Sequence, residues 1–243
     1  MKQSINLLDI NRWDHALPWG NIINPDTKNE ICINEKLVTY PSGGSMRFGC
    51  SNATCKGWKR DKNWNIVETT TQWSVGAVVA HDACRTHFGT YHFVFRLPDF
   101  RGSWPAIWLL DLHPKPPHGD GMGMPPEIDI FEQFRKDAIS SRFHMEHTFH
   151  QGPTYQNNKL VSKTYWKLLP LDLSDIDLTF TWLPSGMTWI VNGKVILTVP
   201  SGTPNYPMRP MNLLMNAGLG LDWKPNVGKF EDLVVKKAEY LAM

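Results

Sequence analysis

The fold class is decided by the stretch Leu178-Thr-Phe-Thr-Trp-Leu-Pro-Ser-Gly-Met-Thr-Trp-Ile-Val-Asn-Gly-Lys-Val-Ile-Leu-Thr-Val199. It contains runs of β-branched and aromatic residues, which favour strands. Pro184-Ser-Gly186 predicts a turn between the first two runs. Asn192-Gly193, the strongest two-residue hairpin signal, predicts a second turn. The stretch therefore predicts consecutive antiparallel strands joined by hairpins.

Short strands also dominate the rest of the 243-residue chain. Further strands are predicted at Phe88–Pro98, Trp104–Leu110, Met211–Asn216 and Leu233–Leu241. No long stretch shows helical periodicity, and we find no internal repeat. The segment His113–Pro126 is rich in Pro and Gly, but strand signals flank it, so we interpret it as a loop rather than a linker. We predict one domain over residues 1–243, an all-β sandwich of two antiparallel sheets.

Composition excludes several functional classes. Hydrophobic residues make up 42% and charged residues 20%, so we expect a folded core. The formal net charge is +2 and Lys and Arg form no long run, which does not predict nucleic-acid binding. No apolar run is long enough to span a membrane. The 11 Trp residues suit either sugar stacking or core packing. We expect a monomer with no nucleic-acid or membrane partner.

The four cysteines are Cys32, Cys50, Cys55 and Cys84. An even number allows two disulfides in three connectivities, and the sequence does not choose among them. Cys50 and Cys55 are spaced too loosely to favour a structural zinc site. The first residues contain no apolar signal-peptide segment, so the compartment stays open.

Three acidic residues crowd the run Glu127-Ile-Asp-Ile-Phe-Glu132. Residues two apart share a face of a strand, so Glu127 and Asp129 point the same way. Glu132 would face the other side of a regular strand. A one-residue bulge at Ile130-Phe131 would return it to the Glu127 face, and bulges recur beside active sites. We therefore predict a bulged strand with three carboxyls on one face.

Paired carboxyls suit the hydrolysis of glycosidic bonds. In a retaining glycosidase one ionised carboxylate attacks the anomeric carbon, and one protonated acid releases the leaving group. Crowding of three carboxyls is expected to raise the pKa of at least one of them, which keeps that acid protonated near neutral pH. Two alternatives are an acidic surface strand and a calcium site, since clustered carboxylates also bind hard cations.

The acidic run and its surroundings resemble glycoside hydrolase family 16, the laminarinase, lichenase, agarase and carrageenase group. The run matches the bulged pattern Glu-x-Asp-x-x-Glu of that family, whereas lichenases typically lack the extra residue. Trp104-Pro-Ala-Ile-Trp108 resembles the segment upstream of the catalytic strand. The resemblance extends over residues 73–240. It includes the segments Trp73–Gly76 and Thr148–Pro153 and the spacing of Asn216, Gly220 and Trp223.

The resemblance implies a β-jelly-roll sandwich with a concave substrate cleft. It implies that Glu127 is the nucleophile, Glu132 the acid/base and Asp129 their helper. The implied activity is that of a retaining endo-β-glycanase acting on a polysaccharide. β-1,3-Glucan is the first choice, because laminarinase-like members share the Asn216 to Trp223 spacing. Agar- or carrageenan-type galactans are the runner-up, and a non-catalytic carbohydrate-binding sandwich is the third alternative.

The resemblance also bears on ligands and compartment. We expect no cofactor, and the alternative is a structural calcium ion near Asp232, as in some members. A secreted or periplasmic location is implied by the family.

Substrate contacts are predicted from the same segments. Trp104 and Trp108 are four apart, hence on one strand face, and Ala106 between them leaves room for a sugar ring. Many members carry Glu and Arg where this chain has His92 and Val94, so the negative subsites are expected to be built differently. Gly218 stands where lichenases carry a Trp, which argues against a mixed-linkage β-glucan as the substrate. The candidate substrate-binding residues are Trp104, Trp108, His92, His150, Asn216 and Trp223.

Overall fold

The structure is a computed structural model in which the described residues are 4–17, 20–24, 29–61, 63, 65–112, 127–134, 144–151, 159–162, 175–203, 206–220 and 230–243. In chain order the strands are β1 (Ile5–Asn6), β2 (Trp13–Asp14), β3 (Ile22–Asn24), β4 (Asn29–Ile31), β5 (Val38–Thr39), β6 (Met46–Phe48), β7 (Cys50–Ser51), β8 (Cys55–Arg60), β9 (Ile66–Thr71), β10 (Ser74–Val75), β11 (Ala77–Ala80), β12 (Gly89–Arg96), β13 (Ala106–Leu110), β14 (Glu127–Phe134), β15 (His144–Gln151), β16 (Lys159–Ser162), β17 (Ile176–Leu183), β18 (Gly186–Val191), β19 (Lys194–Pro200), β20 (Asn212–Asn216) and β21 (Leu233–Ala242). Short 3-10 helices lie at Ile10–Arg12, Glu35–Leu37 and Asp82–Cys84. The predicted loop His113–Pro126 falls outside the described residues.

Two antiparallel sheets form the predicted sandwich. Sheet A has the order β19-β18-β17-β12-β21-β6-β5, with β1 also paired to β21. Sheet B has the order β16-β15-β14-β13-β20-β11-β2, so the acidic run on β14 lies inside the sheet and not at an edge. No helix among the residues that the structure describes is long and apolar enough to cross a membrane.

The predicted hairpins form the β17-β18-β19 side of sheet A. The first turn joins Leu183 to Gly186, which are register partners. The second turn joins Val191 to Lys194. Its central residues are Asn192-Gly193, with φ of 48° and 74°, and positive φ at both positions is what a type I′ turn requires. Local turn chemistry thus sets the register of these strands.

The core lies between the two sheets. From β12, Tyr91, Phe93 and Phe95 are 0% exposed. From sheet B, Ile107 and Phe131 are also 0% exposed, and the rings of Phe95 and Phe131 meet with centroids 4.8 Å apart. Since side chains alternate along a strand, the other face of each sheet points away from this core.

One disulfide, Cys32–Cys55, ties the chain before β5 to the start of the β8–β9 hairpin. Asn21 supports the same junction, because its Nδ2 donates to the Lys56 carbonyl at 3.0 Å and its Oδ1 accepts from the Ile33 N–H at 2.9 Å. Cys50 and Cys84 are free. The structure therefore selects one pairing where the sequence allowed several, and it leaves two thiols unpaired.

Removing the disulfide with Cys32→Ser and Cys55→Ser is expected to lower the free energy of unfolding by about 3 kcal/mol. The bond closes a loop with a sequence separation of 23, and that closure restricts the unfolded chain. The loss corresponds to a fall in Tm of roughly 6–12 °C, which calorimetry can measure. Cys84→Ser removes a half-buried free thiol and serves as the control. Equal losses in the double variant and the control would contradict the expectation.

Candidate active site

Strand β14 contains the predicted bulge. Against β13, Ile107 pairs with Phe131 and the next pair involves Asp129, so Ile130 is the inserted residue. Against β15, the register shifts between Asp129 and Glu132. The bulge that the spacing of the acids predicts is therefore confirmed on both sides of the strand.

The bulge places Glu127, Asp129 and Glu132 on one face of sheet B. Residues directly opposite each other in an antiparallel pair share a face. The register partners of the three acids on β13 are Leu110, Trp108 and Ala106. These partners are two apart along β13 and so lie on a single face. The acids therefore share that face, which we call the carboxylate face.

Exposure distinguishes the three carboxyls. Asp129 is only 2% exposed, whereas Glu127 and Glu132 are half-buried. Ile128, between them, is 0% exposed and packs in the core. A molecule approaching from solvent can thus reach Glu127 and Glu132, while Asp129 lies buried between them along the strand.

Trp104 contacts Glu132 directly. Its indole Nε1 donates a hydrogen bond to Glu132 Oε1 at 3.0 Å. The indole of Trp104 is partly exposed beside that contact. This predicted sugar-stacking residue therefore lies at the acidic run, with its N–H engaged by a carboxylate.

Trp108 and Asn216 form a second pair on the carboxylate face. Trp108 Nε1 donates to Asn216 Oδ1 at 2.8 Å. Asn216 Nδ2 donates to the Ala217 carbonyl at 3.0 Å, and the residue is 5% exposed. Asn216 is one of the predicted substrate contacts, and in the structure its amide oxygen accepts a hydrogen bond from Trp108.

His92 does not join this cluster. It lies on β12 of sheet A, where alternate residues such as Tyr91 and Phe93 point into the core. His92 and Val94 therefore point outward on the far side of the sandwich, and His92 Nε2 lies 3.1 Å from Asp177 Oδ2. This corrects the expectation that His92 contacts substrate. The difference from other family members at His92 and Val94 therefore affects the outer face of sheet A and not the sugar-binding subsites.

The structure describes only the backbone of one of the two remaining predicted substrate contacts, His150 and Trp223. His150 is the register partner of Glu127 on β15, where the family resemblance puts it, but its side chain is outside the described part of the structure. Trp223 lies outside the described residues altogether.

A partly buried ion pair near Glu127 has no signal in the sequence. Arg85 Nη2 donates to Asp111 Oδ1 at 2.8 Å and also contacts the Pro210 carbonyl. Asp111 directly follows Leu110, the register partner of Glu127. The pair therefore anchors the end of β13 beside the acidic strand. Residues 85 and 111 come together only through the fold, so no local pattern could have indicated them.

Metal ligands are sparse in the described part of the chain. No group of three or more His, Cys, Asp or Glu residues is arranged there to hold a metal ion. Asp232, the candidate calcium ligand, is half-buried. Burial raises its pKa, and nearby Arg47 opposes that rise. Among the described residues, the charged neighbour that acts on Asp232 is Arg47, a cation and not a further carboxylate ligand.

Two solvent-accessible glutamates on one face of a sheet offer the pair of carboxyl groups that glycoside hydrolases use. Comparison with known proteins agrees with this class. The family described as Glycosyl hydrolases family 16 matches residues 46–232. The chain belongs to glycoside hydrolase family 16.

Individual relatives differ in their substrates. A keratan-sulfate endo-1,4-beta-galactosidase of Sphingobacterium multivorum is 31% identical over 238 residues, which cover 90% of this chain and 52% of that protein. Glucan endo-1,3-beta-glucosidase A1 of Niallia circulans is 23% identical over 238 residues, covering 88% and 32%. The chain thus spans about half or less of the length of these curated relatives.

The fold is shared with solved structures. A glycoside hydrolase family 16 endo-glucanase from Bacteroides ovatus superposes with a TM-score of 0.71 at 14% sequence identity. The match covers 98% of this chain and 99% of that chain. The jelly-roll sandwich expected from the family resemblance is confirmed.

Proposed function

We propose that this protein is a retaining endo-β-glycanase. The observation that supports the proposal is the bulge in β14, which puts Glu127, Asp129 and Glu132 on one face. A retaining pair needs carboxyl groups about 5–5.5 Å apart. Glutamate side chains on one face are long enough to meet this requirement across Asp129. The shared face of these three acids supports their assignment to the reaction.

The proposed reaction has two steps. The Glu127 carboxylate attacks the anomeric carbon while the carboxylic acid of Glu132 protonates the departing glycosidic oxygen, which leaves a glycosyl ester on Glu127. Glu132, now ionised, accepts a proton from water, and that water cleaves the ester. We assign to Asp129, which lies between the two along the strand, the role of hydrogen-bonding the nucleophile. Each step inverts the anomeric centre, so the product keeps the β configuration.

A β-linked galactan is the substrate class that we propose to test first, with β-1,3-glucan second. The preference for glucan rests on the Asn216 to Trp223 spacing, yet Asn216 is engaged by Trp108 in the structure. The galactosidase relative is also more similar to this chain, at 31% identity against 23% for the glucanase relative.

A polysaccharide panel tests both reaction and substrate. Purified protein is incubated with keratan sulfate, agarose, κ-carrageenan, laminarin and mixed-linkage β-glucan, and reducing ends are measured. We expect release from a galactan, with oligosaccharides rather than monosaccharide among the first products. Proton NMR of the first-formed product should show the β anomer, because two inversions retain configuration.

Each other outcome contradicts a stated part of the proposal. An initial α anomer would exclude double displacement. Release from laminarin alone would overturn the galactan preference. Binding to a polysaccharide without any release, by protein with a normal melting transition, would favour the carbohydrate-binding alternative over the enzyme.

A further inference from the structure

Two short segments run side by side where β13 and β20 stop pairing. Residues 102–104 lie against residues 218–220, with an antiparallel bridge between their central members. The Trp104 N–H donates to the Gly218 carbonyl at 2.7 Å, and the Gly220 N–H donates to the Gly102 carbonyl at 2.9 Å. The backbone of Trp104 is therefore fixed by a short hydrogen-bonded ladder.

Gly218 allows the two segments to come this close. A Cβ atom added at Gly218 would lie 2.1 Å from the Trp104 carbonyl oxygen. No such contact is tolerated, so any other residue would push the two segments apart. This gives a physical reason for glycine at the position where lichenases carry a tryptophan.

The indole of Trp104 holds one oxygen of Glu132. Its N–H reaches Oε1 at 3.0 Å. A donor on Oε1 restricts rotation of the carboxyl group and favours Oε2 as the oxygen that carries the proton. It also stabilises the ionised form of the group. Displacing the indole would therefore change both the direction and the proton affinity of Glu132.

We propose that Gly218 and Trp104 together position Glu132. The close backbone ladder at Gly218 fixes the position of the Trp104 indole, and the indole in turn directs Oε2 of Glu132 toward the substrate. The label of Glu132 as acid/base rests on the proposed function. The coupling between Trp104 and Glu132 does not, and it can be measured without substrate.

Other titratable residues occupy positions neighbouring Glu132 in sheet B. Glu127 and Asp129 lie on its own strand, and Glu146 is its register partner on β15. None of them is altered by substitution at position 104 or 218. A change that follows those substitutions therefore reports on the indole.

The first test uses the unmodified chain. With ¹⁵N-labelled tryptophan, the indole N–H resonance of Trp104 should move upfield as pH falls and Glu132 gains its proton, because protonation weakens the hydrogen bond. The same titration should vanish in Glu132→Gln. Trp108 is the internal control, since its indole donates to an amide oxygen that does not titrate. A Trp104 resonance that ignores pH, or that still titrates in Glu132→Gln, would overturn the proposal.

The second test moves the pKa of Glu132. Trp104→Phe keeps the aromatic ring but removes the donor, so the pKa of Glu132, followed by carboxyl ¹³C NMR, should rise by about one unit. Gly218→Ala should raise it in the same direction. Gly202→Ala is the matched control, because a Cβ there meets no atom within 4 Å. An unchanged pKa in folded Gly218→Ala protein would overturn the role of the glycine, even if Trp104→Phe fails to fold.

Kinetics separates this inference from the proposed function. On the best galactan of the panel, Trp104→Phe should lower kcat by about 10-fold to 100-fold with a smaller change in KM, since Phe keeps an aromatic face for the sugar while the acid loses its hydrogen-bond donor. A wild-type protein that cleaves nothing in the panel would overturn the proposed function and leave the titration result standing. An unaltered kcat together with an unaltered pKa would overturn the positioning role alone.

Discussion

Glu127→Gln is expected to lower kcat by a factor on the order of 10⁴ or more on every polysaccharide that the wild-type protein cleaves. The amide has nearly the volume of the carboxylate but cannot attack an anomeric carbon, so no glycosyl-enzyme forms. Because the change is isosteric and Glu127 is half-buried, we expect Tm to stay within about 2 °C of wild type. Initial-rate kinetics and calorimetry on the same preparation provide the measurement.

Glu239→Gln is the matched control for that variant. Glu239 lies on β21 of sheet A and pairs with Lys237, so the same chemical change occurs away from the carboxylate face. Its activity should equal that of wild type. Substantial turnover by folded Glu127→Gln protein would remove Glu127 from the nucleophile role.

Glu132→Ala is expected to give the second large effect, and the effect should depend on the leaving group. On polysaccharide, kcat should fall by about 10³-fold or more, because the departing sugar oxygen needs a proton. On a 2,4-dinitrophenyl β-glycoside of the same sugar, formation of the glycosyl-enzyme needs little acid assistance. Hydrolysis of the intermediate is then limiting, and added azide should restore turnover by entering the space that the alanine leaves.

The configuration of the azide product separates the two glutamates. With Glu132→Ala, azide attacks a glycosyl-enzyme and should give the β-glycosyl azide. With Glu127→Ala, azide replaces the nucleophile and should give the α-glycosyl azide in one inversion. NMR of the anomeric proton distinguishes the two. If the products were exchanged between the variants, the roles assigned to Glu127 and Glu132 would be reversed.

The sequence predicts the locally determined parts of the fold. The hairpin at Asn192-Gly193 depends on two residues that accept positive φ, and the bulge at Ile130 follows from the odd spacing of the acids. The order of strands is different. The placement of β13 between β14 and β20, and of β12 between β17 and β21, depends on pairings between distant segments that no local pattern encodes.

The candidate site shows the same division. The acidic run is continuous in sequence, so its chemistry could be inferred from Glu127, Asp129 and Glu132 alone. The hydrogen bond from Trp108 to Asn216 joins residues that are 108 positions apart, and only the β13–β20 register brings them together. The prediction that His92 contacts substrate is wrong because a motif indicates which strand a residue occupies but not which face of the sheet its side chain points to.

The bulge in β14 also determines what changes of length the protein can accept. An extra residue in a regular strand turns every later side chain to the opposite face. Here the extra residue is absorbed at Ile130, so that Gln133, just beyond Glu132, is still 0% exposed. Deleting Ile130 would leave a regular strand with the same residues facing the same sides and with the two glutamates still opposite Leu110 and Ala106, four strand steps apart. The strand can therefore gain or lose one residue at this point without a change of fold, and a one-residue gap inside the motif of two aligned sequences marks the presence or absence of the bulge.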